Sequence, residues 1–155
     1  MDTRLGIRAM PDAAESDEVW RQWVNAYPSV VSADLSCTVL TRESATFVMD
    51  AAVSFPANPN GQINGGMVSL AADQVMGVVS ARVAPTGCVP VTAVLATHFH
   101  APALPPLTFH GVAVPGGRSV QTVEVTVTSA DGRRCATAIG TMAVGSPDRR
   151  ATMEG

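Results

Sequence analysis

Asn58 to Val83 reads NPNGQINGGMVSLAADQVMGVVSARV. The opening NPNGQINGG is built largely of Asn, Pro and Gly, which favour turns or accept positive φ, and the remaining residues are strong helix formers or small and apolar. The stretch predicts a loop running into a long helix. Asn64 is placed to cap that helix, which should leave the amides of Gly65 and Gly66 bare at its start, where the macrodipole favours negative charge. Further along, among Leu70, Ala71, Ala72 and Val75, stands Asp73, the only Asp or Glu between Asp50 and Glu124. A carboxylate on an apolar helix is costly unless it is paired, hydrated or put to use.

Helical spacing puts Ser69, Asp73, Gly77 and Ser80 on one narrow stripe of small or polar residues, with Met67, Val68, Leu70, Val75, Met76, Val78 and Val79 covering the remainder. A helix this apolar must be wrapped, most simply by a curved sheet, with its thin stripe turned to a cleft or a second subunit.

The composition supports that reading. The chain has 155 residues, enough for one domain with a substantial core, and is 46% apolar but only 15% charged. So little charge favours oligomerisation as the way to cover its surface. Net charge is −3 and the basic residues, all Arg, are dispersed, so the footprint of a nucleic-acid binder is missing. Cys37, Cys88 and Cys135 lie far apart with no C-x-x-C pair and read as buried thiols in a reducing compartment. The N-terminus has no apolar h-region and prolines interrupt the uncharged span from Val83 to Gly117, so neither a signal peptide nor a membrane helix is expected. A cytoplasmic protein without membrane association is the expectation.

In chain order, residues 1–14 read as a flexible N-terminus, 15–145 as a single domain and 146–155 as a disordered polar tail. Ser16 to Tyr27 predicts a short amphipathic helix with a Ser cap, an apolar stripe of Val19, Trp20, Trp23 and Val24, and a stop at Pro28. Leu35–Leu40 and Thr46–Phe55 read as strands joined by a turn at Thr41–Ser44. After the long helix come four strand-like runs, 89–101, 107–114, 118–129 and 134–144, separated by turn residues and predicted to form an antiparallel meander. Alternation is clearest where Val123, Val125 and Val127 oppose Thr122, Glu124, Thr126 and Thr128.

Helix, hairpin, long central helix and strands is the order of the hotdog fold, an α+β architecture in which a curved antiparallel sheet wraps one long helix. The loop and carboxylate also resemble the N-x-x-G-x-x-H-G-G-x6-D/E signature of hotdog acyl-CoA thioesterases, the phenylacetate-pathway and 4-hydroxybenzoyl-CoA thioesterase group. The resemblance spans roughly residues 35–144 and includes PVTAVLATHFHAPA, the Gly117-Arg118 pair and the D-G-R turn at Asp131. It implies that Asp73 is the catalytic carboxylate, that the Gly65 amide binds the thioester oxygen, and that Asn58 orients water or substrate. Asn64 stands where the family has His, and Gly77 where it often has Ser or Thr. Asn can cap and donate but cannot carry a proton. Gly66, Gly77, Arg118 and Ser119 are the implied substrate-binding positions, Arg118 toward a phosphate of coenzyme A.

Thioester hydrolysis needs donors for the developing oxyanion and a carboxylate that attacks the carbonyl or activates water. The expected activity is therefore cleavage of acyl-CoA to a carboxylic acid and coenzyme A, with no separate cofactor, since coenzyme A enters with the substrate. Val, Met and Ala are the expected lining of the acyl pocket, which suits aliphatic or aromatic chains alike. A non-catalytic acyl-CoA-binding protein and a hotdog enoyl-CoA hydratase are the alternatives. His98, His100 and His110 have no carboxylate or Cys at ligand spacing and are expected to be structural, with no metal. At a rise of ~1.5 Å per residue, Gly65 and Asp73 are separated by roughly 12 Å along the helix. One thioester cannot reach both, so a homodimer with shared sites is expected, and the family implies further assembly into tetramers.

Overall fold

The computed structural model of the chain describes residues 9–50 and 58–145. The expected tail at 146–155, residues 1–8 of the N-terminal segment and residues 51–55 of the second strand lie outside the described residues. The elements are α1 (Asp17–Asn25), α2 (Pro28–Ser32), β1 (Ser36–Leu40), β2 (Ser44–Met49), α3 (Gly65–Val83), β3 (Pro90–Phe99), β4 (Leu107–Val114), β5 (Val120–Thr128) and β6 (Arg134–Val144). The described strands form one antiparallel sheet in the order β1-β2-β4-β5-β6-β3. Helix α3 packs against β2, β3, β4, β5 and β6. This is the hotdog architecture.

The core follows from two periodicities meeting. Ala45, Phe47 and Met49 of β2, Leu107 and Phe109 of β4, and Val123, Val125 and Val127 of β5 alternate onto one face of the sheet. Val68, Ala71, Ala72, Val75, Met76 and Val79 of α3 meet them, all fully buried. The helix can lie this close because Gly111 of β4 sits beneath it: a methyl there would come within 2.7 Å of Val75 Cγ1. Gly140 of β6 makes room in the same way for the Met76 sulfur.

The structure corrects the meander. β4, β5 and β6 run in sequence order, but β3 pairs with β6 at the sheet's far edge, while β4 pairs with β2. Helix α3 crosses the sheet, so the chain emerging from it is delivered to the edge opposite the β1-β2 hairpin. Residues 100–106 then carry it back across the end of the sheet.

Ser16 caps α1 as expected, its hydroxyl accepting from the Val19 amide at 3.3 Å. The stripe divides: Trp20 and Val24 are fully buried, whereas Val19 is exposed and Trp23 half-buried. Pro28 does more than stop α1. It opens α2 at the first turn, where its missing N–H costs nothing. Arg82 and Asn25 help dock this N-terminal layer. The Arg82 guanidinium, near the end of α3, donates to Ala13 O at 2.8 Å, Glu15 O at 3.2 Å and Asp17 Oδ1 at 2.7 Å, and lies 5.4 Å over the Trp20 ring. The Asn25 amide takes both backbone groups of Cys37, donating to its carbonyl at 3.0 Å and accepting from its N–H at 2.7 Å. All three cysteines are buried free thiols, and burial pushes the Cys37 thiol up to about 11. No helix of the described residues is long and apolar enough to cross a membrane.

Candidate active site

The 58–64 loop is closed by its own first residue. Asn58 Oδ1 accepts from the amides of Asn60 at 3.0 Å and Gln62 at 3.1 Å, and the Asn58 N–H donates to Gln62 O at 2.8 Å. Gly61 turns the chain at φ 76°, a conformation that favours glycine. The Ile63 N–H then donates to Ala103 O at 2.9 Å, tying the loop to the segment before β4. With its oxygen spent on the loop, Asn58 has only its Nδ2 left to offer a substrate.

Asn64 caps α3, its Oδ1 accepting from the Gly66 amide at 2.8 Å. This corrects the expectation of two bare amides. A cap side chain takes the donor at the second or third helical position, so Gly66 is consumed and Gly65 is left with no acceptor among the described residues. The Phe99 ring stands over Gly65, close enough that a methyl there would lie 3.0 Å from it. Asn58, Asn64, Gly65 and Phe99 line one open cleft of about 420 Å³.

Asp73 lines a different cavity. It is half-buried, and Thr92 of β3 donates its hydroxyl to Asp73 Oδ1 at 2.7 Å. Asp73 Oδ2 has no partner among the described residues. The cavity measures about 220 Å³ and is walled by Gln74, Gly77, Trp23 and Tyr27 among others, the two aromatic rings 4.9 Å apart. Ser29 of α2 donates to Gln74 Oε1 at 2.6 Å. The expected lining of Val, Met and Ala omits the two rings. Trp23 on α1 and Tyr27 at the N-cap of α2 lie far upstream, in a layer whose docking depends on tertiary contacts, and nothing local to them signals the cavity.

The stripe on α3 is also corrected. Ser80 is fully buried and hydrogen-bonded to Gln121, and Ser69 donates to Thr97 Oγ1 at 3.1 Å. Ser80 thus serves packing within the chain, and half-buried Ser69 is tied to β3. The outward face instead carries Leu70, 43% exposed, with half-buried Gln74 and Gly77.

Arg118 is exposed in a cleft of about 620 Å³ with Arg42, Thr86 and Gly117, beside the C-terminal end of α3. Ser119 is exposed, and its carbonyl accepts from the Val144 N–H at 2.9 Å. One chain thus separates the expected residues into three places. Gly65, Asn58 and Asn64 share the first, Asp73 and Gly77 the second, and Arg118 lies in the third. His100 pairs with Thr137 at 2.8 Å and His110 with Thr46 at 3.0 Å, both at the surface. Among the described residues no three His, Cys, Asp or Glu side chains gather as metal ligands.

A family model described as the thioesterase superfamily matches residues 60–136. Solved structures that share the fold include these three. A thioesterase from Haemophilus influenzae is 14% identical with a TM-score of 0.74, covering 89% of this chain and 96% of its own. A thioesterase family protein from Silicibacter pomeroyi is 19% identical with a TM-score of 0.73, covering 81% and 94%. A hypothetical thioesterase protein with coenzyme A from Streptococcus pneumoniae TIGR4 is 20% identical with a TM-score of 0.68, covering 85% and 98%. No curated protein matches the sequence.

Proposed function

Because the chain belongs to the thioesterase superfamily, we propose that it hydrolyses acyl-CoA thioesters to a carboxylic acid and coenzyme A, using Asp73 and the Gly65 amide of a second copy. The observation that carries this reading is the pairing of one free helix-start amide with one free carboxylate oxygen in separate clefts. Each is half of an acyl-transfer site. The thioester oxygen accepts from the Gly65 N–H. Asp73 Oδ2 either attacks the carbonyl carbon, expelling the thiolate before water cleaves the anhydride, or takes a proton from the attacking water. Antiparallel pairing of two α3 helices about a two-fold axis joins Gly65 of each copy to Asp73 of the other. The edge of β3, which has no strand partner among the described residues, suits that pairing, with Val91 64%, Val94 57% and Phe99 52% exposed.

Arg118 and Arg42 supply the charge for the phosphates of coenzyme A. From Asp73 to the end of α3 at Val83 the helix covers ~15 Å, and the Asp73 cavity runs along the same stretch past Gly77 and Ala81. A pantetheine arm laid there would join the carboxylate to the arginine cleft.

Thiol release from a small acyl-CoA panel tests the reading. Wild-type protein should turn over at least one substrate, and Asp73→Asn should lose about 10²- to 10⁴-fold in kcat/KM, the range for a positioned acid, base or nucleophile. An Asp73→Asn variant of wild-type rate would remove the mechanism. Asn64, which carries no titrating proton, and Gly77, which has no hydroxyl, favour the second reading, an acyl-CoA-binding protein without turnover. Saturable acyl-CoA binding with no thiol released by the wild type would select it.

A further inference from the structure

Strand β3 contains an irregularity that the pairing of Gly65 with Asp73 does not account for. Thr92 pairs with Met142 and Val94 with Thr141, so Ala93 is an extra residue, a β-bulge on the sheet's edge. On a regular strand Thr92 and Thr97 would face opposite sides, because their separation is odd. Here both reach α3: Thr92 donates to Asp73 and Thr97 accepts from Ser69. The bulge changes the phase of the strand between them. Bulges re-aim side chains in this way, and they gather beside active sites.

We propose that the bulge at Ala93 makes Thr92 the positioning residue for Asp73, fixing which carboxylate oxygen reacts. The Thr92 hydroxyl occupies Oδ1 at 2.7 Å and its oxygen also lies 3.7 Å from the Met142 sulfur, a second contact that holds the rotamer. Threonine is stiff at χ1, so the donor itself is well fixed. Oδ2 is left as the free oxygen of a carboxylate that lines the cavity with Gly77 and Tyr27. Without the hydroxyl the carboxylate rotates, and the reactive oxygen spends less time in the attacking geometry. The effect belongs to the chemical step, because Thr92 acts on the acid and not on the bulk of the substrate.

The inference rests on the catalytic reading of Asp73. The test uses the full chain with Thr92→Val, which keeps the shape and removes the donor, and Thr92→Ser, which keeps the donor. Thr92→Val should lower kcat about tenfold to a hundredfold with KM within about twofold, and Thr92→Ser should recover most of the loss. Unchanged kcat in Thr92→Val overturns the proposal, as does an equal fall in both variants that tracks their loss of thermal stability. Asp73→Asn, measured beside them, separates the two levels. An inactive Asp73→Asn with an unaffected Thr92→Val rejects only the positioning role, whereas an active Asp73→Asn rejects the catalytic reading and the positioning role together.

Discussion

At Asn64 a single side-chain oxygen decides how many donors the helix start can offer. By accepting from Gly66 it leaves Gly65 as the one free amide at that point, so the oxyanion donor in the proposed site is one glycine rather than two. A cap makes a prediction that a proton carrier does not. Asn64→Ser should keep the fold's stability, since Ser caps about as well, while Asn64→Leu should cost about 1 kcal/mol, roughly 2–4 °C in Tm for a chain of this size. A thermal melt checks both, and equal losses would refute the cap. The Asn64 cap and the placement of Asp73 on α3 were legible in the sequence because they depend on helix start and helix phase, both local properties. Thr92, Trp23 and Tyr27 were not. Thr92 faces Asp73 only because a bulge inserts Ala93, and no residue type in PVTAVLATHF announces a bulge.

At the scale of elements, α3 and the sheet fit through absences. Gly111 and Gly140 lie where a side chain would strike the helix, but what they would strike differs. Val75 is β-branched and fully buried, whereas the Met76 thioether is flexible. Gly111→Ala should therefore cost about 1–3 kcal/mol by overpacking, and Gly140→Ala clearly less, because the sulfur can swing aside. Denaturant unfolding of the two variants gives the comparison, and a reversed order would mean that the helix yields as a body. The long helix and the strand faces were readable from periodicity, down to the buried Val123, Val125 and Val127. Strand order was not, because pairing partners are chosen by the path of α3 across the sheet. Turn residues at 102–106 mark a break without saying where the chain goes next.

At the scale of the whole molecule, the proposed chemistry needs two chains, and subunit mixing addresses that directly. Asp73→Ala and Gly65→Pro, each inactive alone, should regain up to about a quarter of wild-type sites when equal amounts are co-refolded into random dimers, because a mixed dimer holds one intact and one doubly damaged site. Verified mixed dimers without activity would dismiss the shared site. The two edges of the sheet bear on what such an assembly becomes. On β1 the Asn25 amide occupies both backbone groups of Cys37, as a neighbouring strand would, and α1 lies alongside. On β3, ten residues from Pro90 to Phe99 present an edge with no strand partner among the described residues. For the proposed shared-site dimer this makes the subunit monofunctional in polymer terms: with Asn25 capping Cys37 at one end of the hydrogen-bonding ladder, edge-to-edge growth would stop at two copies instead of running on into a fibre.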